Sequence, residues 1–202
     1  AHTVNNQIAS MFKTIKSTSK APAKKKRHAD SPERRGTDAT KKRVEETGKT
    51  TESDDESEDL SKEQRMEKIS KFLTDMKFDP DEVDENLGDI MDSGLKYSIN
   101  HAYLDSDAFF SVDGVGGALF ITLNRKHSAY KELFDTLGKD VSKSTPQEME
   151  QYLLRANSAL MVMLIAWSRL EDESSGSNKI RLQDTRNDWG RIARDFLLFG
   201  RE

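Results

Sequence analysis

The stretch from Phe109 to Tyr130, FFSVDGVGGALFITLNRKHSAY, constrains this chain most. It reads as two strands joined by a glycine-rich turn. Phe109, Phe110 and Val112 lead in, and Ala118, Leu119, Phe120, Ile121 and Leu123 lead out. β-Branched and aromatic residues fit a pleated, half-buried surface. Gly114, Gly116 and Gly117 are the residues expected to supply the positive φ of a tight connection. The second strand is apolar on both faces from Ala118 to Ile121, so both faces should be covered. Upstream, Leu95, Tyr97, Ile99, His101 and Tyr103 alternate with Lys96, Ser98 and Asn100. That alternation predicts a strand whose buried face carries the apolar set. Turn residues Asp105-Ser106-Asp107 then suggest a three-stranded antiparallel meander.

Helices should pack on this sheet. Ser61-Lys62-Glu63-Gln64 is a capping-box pattern, followed by Met66, Ile69, Phe72, Leu73 and Met76 at helical spacing. Asp79 and Pro80 open a second helix, with Val83, Leu87, Ile90 and Met91 on its apolar face. Its acidic start lacks the D-x-D-x-D-G spacing of a calcium loop and suits a helix N-terminus. Ala129, Tyr130, Leu133, Phe134 and Leu137 mark a short helix. Thr145-Pro146-Gln147-Glu148 starts a long one, running to about Asp172 and apolar all round in its middle. That pattern predicts burial on several sides, with Trp167 in the core. Leu182, Thr185, Trp189, Ile192, Phe196 and Leu197 give a closing helix expected to return antiparallel. The fold class expected is α+β: a small antiparallel β-meander packed against two long antiparallel helices.

The first 60 residues differ in character. Val4, Ile8, Met11, Phe12 and Ile15 form one face of an amphipathic helix over residues 1–18, either the end of a preceding domain or a docking helix. Residues 19–60 hold almost no large apolar side chains and are expected to be a disordered charged linker. From Ser19 to Arg43 there are ten Lys/Arg against three Asp/Glu, 10 − 3 = +7. From Val44 to Asp59 there is one Lys against eight Asp/Glu, 1 − 8 = −7. Lys24, Lys25, Lys26 and Arg27 are the candidate nucleic-acid contacts, although no aromatics are interleaved to stack on bases. The remaining residues, 61–202, form the α+β domain.

The chain contains no cysteine, which excludes disulfides, thiolate nucleophiles and cysteine-rich zinc sites. That usage fits a reducing compartment, and a cytoplasmic location is expected. The run from Ala159 to Trp167 is the longest apolar stretch, short of the roughly 20 residues of a membrane span. No membrane contact is therefore expected. His2, His28, His101 and His127 are scattered, so no metal site is expected. No G-x-G-x-x-G or G-x-x-x-x-G-K-[ST] occurs. Asp113-Gly114-Val115-Gly116-Gly117 departs from D-x-G-x-G, with valine where the second glycine should be. No catalytic residue emerges. The strongest site candidate is the strand end Asn124, Arg125, Lys126 and His127. A strand leading into a helix N-terminus offers free N–H groups, and the adjacent cations favour an anion. The alternative there is a capped helix start with solvated basic side chains.

Three phrases, FFSVDGVGGALFITLNRKHSAYKELFD, ALMVMLIAWSRLEDE and TRNDWGRIARDFL, resemble the C-terminal region of large bacterial ATP-binding proteins of the histidine-kinase-like (GHKL) ATPase group. There a similar hairpin ends in LN-x-x-H-P-x-Y. Leu123, Asn124, His127 and Tyr130 match it, and Ser128 stands where proline is usual. The group's catalytic glutamate, magnesium-binding asparagine and D-x-G-x-G loop are not in place. The resemblance thus implies a non-catalytic region downstream of an ATPase domain, coupling nucleotide state to dimer arrangement or mediating contacts with other proteins. It implies ATP and Mg for the full-length protein and none bound by this chain alone. Its partners would be the upstream ATPase domain and, in a homodimer, a second copy. In related ATPases a downstream lysine reaches the γ-phosphate, and Arg125 or Lys126 is the candidate for that contact. Two other classes stay open: a stand-alone nucleic-acid-associated protein using the basic linker, with weak contacts, and an enzyme with an unrecognised site.

Overall fold

The computed structural model describes residues 31–48, 50–139 and 141–199. The amphipathic pattern at residues 1–18 and the basic run Lys24–Arg27 lie outside the described residues. The architecture is mixed α+β, with seven α-helices around one three-stranded sheet among the described residues. Strands β1 (Tyr97–Ala102), β2 (Phe110–Val115) and β3 (Ala118–Asn124) follow in sequence, but their order in space is β1-β3-β2. β2 and β3 form the expected antiparallel hairpin, with Val112 opposite Ile121. β1 pairs with β3 in parallel, with Ile99 opposite Ile121. The antiparallel meander is therefore corrected to a mixed sheet. The hairpin turns back and inserts its second strand between β1 and β2. This central position explains why β3 is apolar on both faces.

The hairpin turn is a packing device as well as a reversal. Gly116 and Gly117 carry φ of 59° and 80°, whereas Gly114 lies within β2 and needs no positive φ. A Cβ on Gly117 would stand 2.3 Å from Ser57 Cβ, so no other residue fits without moving that helix. Helix α1 spans Pro32–Thr47, α2 spans Glu52–Asp59 and α3 spans Lys62–Asp75. Arg65 Nε of α3 donates to Gly116 O at 2.8 Å, and Gly117 N donates to Glu56 Oε2 of α2 at 3.2 Å.

α1 and α2 correct the expected linker over its described part. Ser31 caps α1, Pro32 sits at its first position and Gly48 closes it at φ 64°. These are strong start and stop signals around a segment whose one apolar residue larger than alanine, proline aside, is Val44. Small residues do the packing instead. Thr37 and Ala39 are buried, Thr37 Oγ1 accepts from Lys96 N at 3.0 Å, and Thr40 Oγ1 meets the Tyr97 hydroxyl at 2.7 Å. The described cations Arg34, Arg35, Lys41, Lys42 and Arg43 thus lie on α1, together with Glu45 and Glu46 of the acidic block, and the other six acids of that block lie on α2. In α2, Asp54 pairs with Lys96, so the acidic block is tied to the sheet.

The core lies between α3, α4 (Pro80–Leu87) and one sheet face. Ile69, Leu73, Val83, Ile90, Ala118 and Phe120 form it, and the Phe72 and Phe120 rings pack at 5.0 Å. Ile90 sits in a π-helical turn, Gly88–Asp92, that extends α4. The capping boxes at Ser61, Asp79 and Thr145 all form as their sequences suggest. On β1 the expected inside and outside are exchanged. Ser98 and Asn100 are buried toward α4, while Tyr97, Ile99 and His101 are half-buried on the α1 and α5 side. The Ser98 hydroxyl donates to Asn86 Oδ1, and Asn100 Nδ2 donates to Ser98 Oγ at 3.1 Å. Pairing within this network meets the cost of burying amides and a hydroxyl.

Helix α5 spans Ser128–Leu137, α6 spans Pro146–Glu173 and α7 spans Gly176–Leu198. α6 joins α5 through Arg155, which grips Glu132 with Nε and Nη2. α6 and α7 meet near their connecting turn, where Arg186 Nε lies 2.7 Å from Glu171 Oε1. The far end of α7 reaches α1 and β1: Arg35 Nη2 donates to Leu197 O at 3.3 Å and Phe196 meets Tyr97 edge-on at 6.5 Å. The expected burial of α6 on several sides is corrected. Its one buried residue is Ala156, and Trp167 is half-buried.

Candidate functional site

β3 ends and α5 begins across Asn124 to His127, so the fold places all four candidate residues at one sheet corner. Asn124 is fully buried and works as a clamp. Its Oδ1 accepts from Leu104 N at 3.2 Å and Lys126 N at 3.0 Å. Its Nδ2 donates to Ser106 O and Ala108 O, each at 2.9 Å. One amide thereby fixes the β1–β2 loop against the strand end. His127 is the N-cap of α5, with Nδ1 accepting from Ala129 N at 3.1 Å. The imidazole therefore occupies a donor that an anion would otherwise find at this helix start.

The two cations have partners. The Arg125 guanidinium lies 5.4 Å from the Tyr103 ring and 5.8 Å from the Tyr130 ring, both within cation–π range. Burial pushes the Tyr130 hydroxyl above its usual range, with Arg125 opposing. Lys126 Nζ lies 3.3 Å from Asp105 Oδ1. A cleft of about 560 Å³ opens here, lined by Asp105, Asp107, Lys126 and His127 among others. Two carboxylates face one ammonium, a balance that does not by itself favour an anion. Among the described residues, no group of three His, Asp or Glu is placed to hold a metal ion.

The second feature is the outer surface of α6 and α7. Leu153, Leu154, Leu160, Met161, Val162, Leu164, Ile165 and Leu170 of α6 are exposed, as are Ile180, Trp189, Leu197 and Leu198 of α7. The exposures reach 64% for Leu153 and 66% for Ile165 and Trp189. Monomeric proteins rarely expose a contiguous apolar patch above a few hundred Å², and larger ones mark interaction sites. α6 is also long and apolar enough, by length and composition, to cross a membrane. The charge-free stretch between Arg155 and Arg169, residues 156–168, is shorter. At about 1.5 Å per residue it covers roughly 20 Å against about 30 Å of bilayer core.

The core position expected for this helix follows from its all-round apolar middle, because such a helix is ordinarily buried. The spacing of Leu153, Asn157, Leu160 and Leu164, at intervals of 4, 3 and 4, also fits a helix–helix seam, and it continues through Trp167 and Glu171 to the contact with Arg186 of α7. No family model, no curated protein and no solved structure matches this chain.

Proposed function

We propose that this chain is a non-catalytic coupling and interaction region of a larger GHKL-type ATPase, and that its α6–α7 pair is the surface that meets partners. The observation that carries the contact role is α6 itself: a 28-residue helix with Ala156 as its one buried residue and eight large apolar residues in the open. An arrangement so costly in water is stabilised when another surface covers it. The tie to an ATPase rests on the sequence resemblance at residues 109–135, 159–173 and 185–197. The sheet and α5 then serve as a base that holds α6 at a fixed angle, through Asn124, His127 and the Arg155–Glu132 pair.

Within this reading Arg125 and Lys126 are the residues that would reach a nucleotide phosphate on a neighbouring domain. The Lys126–Asp105 pair is solvent-exposed, and such pairs are worth about 0–1 kcal/mol, so the ammonium changes partner at little cost.

The test uses the gene upstream of the Ala1 codon and the protein it encodes. The expected result is an ATPase domain whose turnover falls in the Leu160→Asp/Leu164→Asp variant while Mg-ATP affinity is unchanged. A start codon directly before Ala1, or turnover indifferent to that variant, contradicts the proposal.

A further inference from the structure

The sheet has an edge that the rest of the described fold leaves open. In the order β1-β3-β2, β2 pairs on one side only. Asn124 N donates to Phe109 O at 2.9 Å, which makes these two a hydrogen-bonded pair of the antiparallel ladder. Such pairs alternate along the ladder, so Ser111, Asp113 and Val115 also turn their backbone groups to β3. Phe110, Val112 and Gly114 turn theirs outward. Among the described residues, nothing bonds to these outward N–H and C=O groups.

The side chains leave the edge bare as well. Phe110 and Val112 project on the sheet face opposite to Phe120 and are 49% and 56% exposed. Gly114 follows them on that face. A Cβ there would come no nearer than 3.8 Å to Leu119 Cδ2, so the space above it is open. Residues 110–115 hold no proline and no lysine, the residues that ordinarily blunt an edge. Their one charge, Asp113, points to the other face, where Ser111 Oγ donates to it at 3.0 Å. A bare edge of this kind accepts an extended peptide as an added strand.

The surroundings choose the peptide. A cleft of about 650 Å³ runs beside the edge, lined by Val112, Gly114 and Leu119 and, from α2, by Glu52 and Glu56 among others. Glu56 pairs with Lys68, and no described cation lines the cleft. An added strand sets one side chain beside Val112 and another, two residues along, over Gly114. The first place is apolar. The second is empty, and a long side chain there enters the cleft that Glu52 lines. Lysine or arginine fits it. Nucleic acid or anionic lipid would meet the same carboxylates as like charges. A second copy pairing edge to edge at Val112 would bring two α2 helices together, each with six acids and no Lys or Arg.

We infer that the outer edge of β2 binds an extended segment of a partner protein as a fourth strand, with an aliphatic residue and a lysine or arginine two positions apart. The site uses no residue of α6 or α7 and does not depend on the reading of those helices.

The experiment selects binders to the whole chain from random seven-residue peptides displayed on phage, at about 150 mM salt. The expected consensus is a valine or isoleucine with a lysine or arginine two positions away. The best selected peptide is then synthesised and titrated by fluorescence anisotropy. Val112→Pro removes an outward N–H and no bond to β3, a change that an edge strand tolerates on its free side. It should weaken binding at least about tenfold. Glu52→Lys should weaken it by a similar factor and shift preference to the same peptide with glutamate in place of its cation. Amide exchange on the natural chain tests the site without either variant. The N–H groups of Phe110, Val112 and Gly114 should exchange fast in the free chain and slow at least about tenfold with peptide bound. Those of Ser111 and Asp113 should be protected in both states.

Selected peptides without a cation overturn the inference, as does peptide-induced protection that falls only outside this edge. Protection of the three outward amides before peptide is added overturns it too. Such protection rising with protein concentration identifies a second copy as the occupant, and protection independent of concentration identifies another segment of this chain.

Discussion

Ser98 and Asn86 join the sheet to α4 inside the protein: the Ser98 hydroxyl, fully buried, donates to the equally buried Asn86 Oδ1. Asn86 Nδ2 in turn donates to Glu82 O at 2.7 Å. Asn86→Ala leaves the Ser98 proton without its acceptor in a dry site. A buried group so orphaned costs about 1–3 kcal/mol. Urea denaturation should show a loss in that range, and Asn86→Ala with Ser98→Ala should lose less than the sum of the singles. Additive losses would mean the two side chains are not coupled.

Asn124 makes four hydrogen bonds, and three of them hold the loop between β1 and β2. Asn124→Ala should cost about 2–6 kcal/mol at roughly 0.5–1.5 kcal/mol per bond. Amide exchange at Leu104 and Lys126, whose N–H groups point at Oδ1, should speed up more than at Ile69. Unchanged exchange at those two amides would show that the loop is held by something else.

Asp54 gives the fold a pH signature. Burial pushes its carboxyl up, but hydrogen bonds from Lys96 and Thr51 outweigh this and hold it below the usual aspartate range. A carboxyl depressed in the folded state binds its proton more readily when unfolded. The stability it contributes is therefore full above the usual aspartate pKa and lost as pH falls through that range to the lower folded value. Urea midpoints measured from pH 6 down to pH 2 should fall more steeply for the natural chain than for Asp54→Asn. Parallel curves would contradict the assignment.

Two aromatic residues that look alike in the sequence should differ sharply. Phe120 is fully buried on β3 against Phe72, and Phe120→Ala should cost about 3–5 kcal/mol. Trp167 is half-buried, with its indole N–H on Glu171 at 2.5 Å. In dilute solution Trp167→Ala should cost about 1–2 kcal/mol, the scale of one indole hydrogen bond plus partial burial. A loss matching that of Phe120→Ala would mean that α6 is packed far more tightly than described.

These contrasts show what the sequence made legible. Caps are local, so Ser61, Asp79 and Thr145 announce their helices within four residues. Gly116 and Gly117 announce the hairpin because the positive φ they adopt suits few other residues. The parallel pairing of β1 with β3 was not legible, since strand order depends on contacts 22 residues apart, such as Ile99 with Ile121. Helices α1 and α2 were hidden because Thr37, Ala39 and Ser53 pack them with small side chains. The burial of Ser98 and Asn100 was hidden too, because polar residues were assigned to water and their partner Asn86 lies on another element. The candidate strand end is a run of four consecutive residues, so their proximity follows from the sequence alone. Its hydrogen bonds and ring contacts, which give Asn124 and His127 structural jobs, needed three dimensions.

The most direct measurement of the contact role is thiol reactivity on α6 in the assembled full-length chain. Met161→Cys places the sole thiol on the open apolar arc, and Lys71→Cys reports an exposed helix elsewhere. If α6–α7 is a contact surface, alkylation at 161 should be at least about tenfold slower than at 71 at 100 µM protein, a ratio that corresponds to about 1.4 kcal/mol of protection. It should also quicken in the Leu160→Asp/Leu164→Asp background. Equal rates at the two positions in the natural background would contradict it.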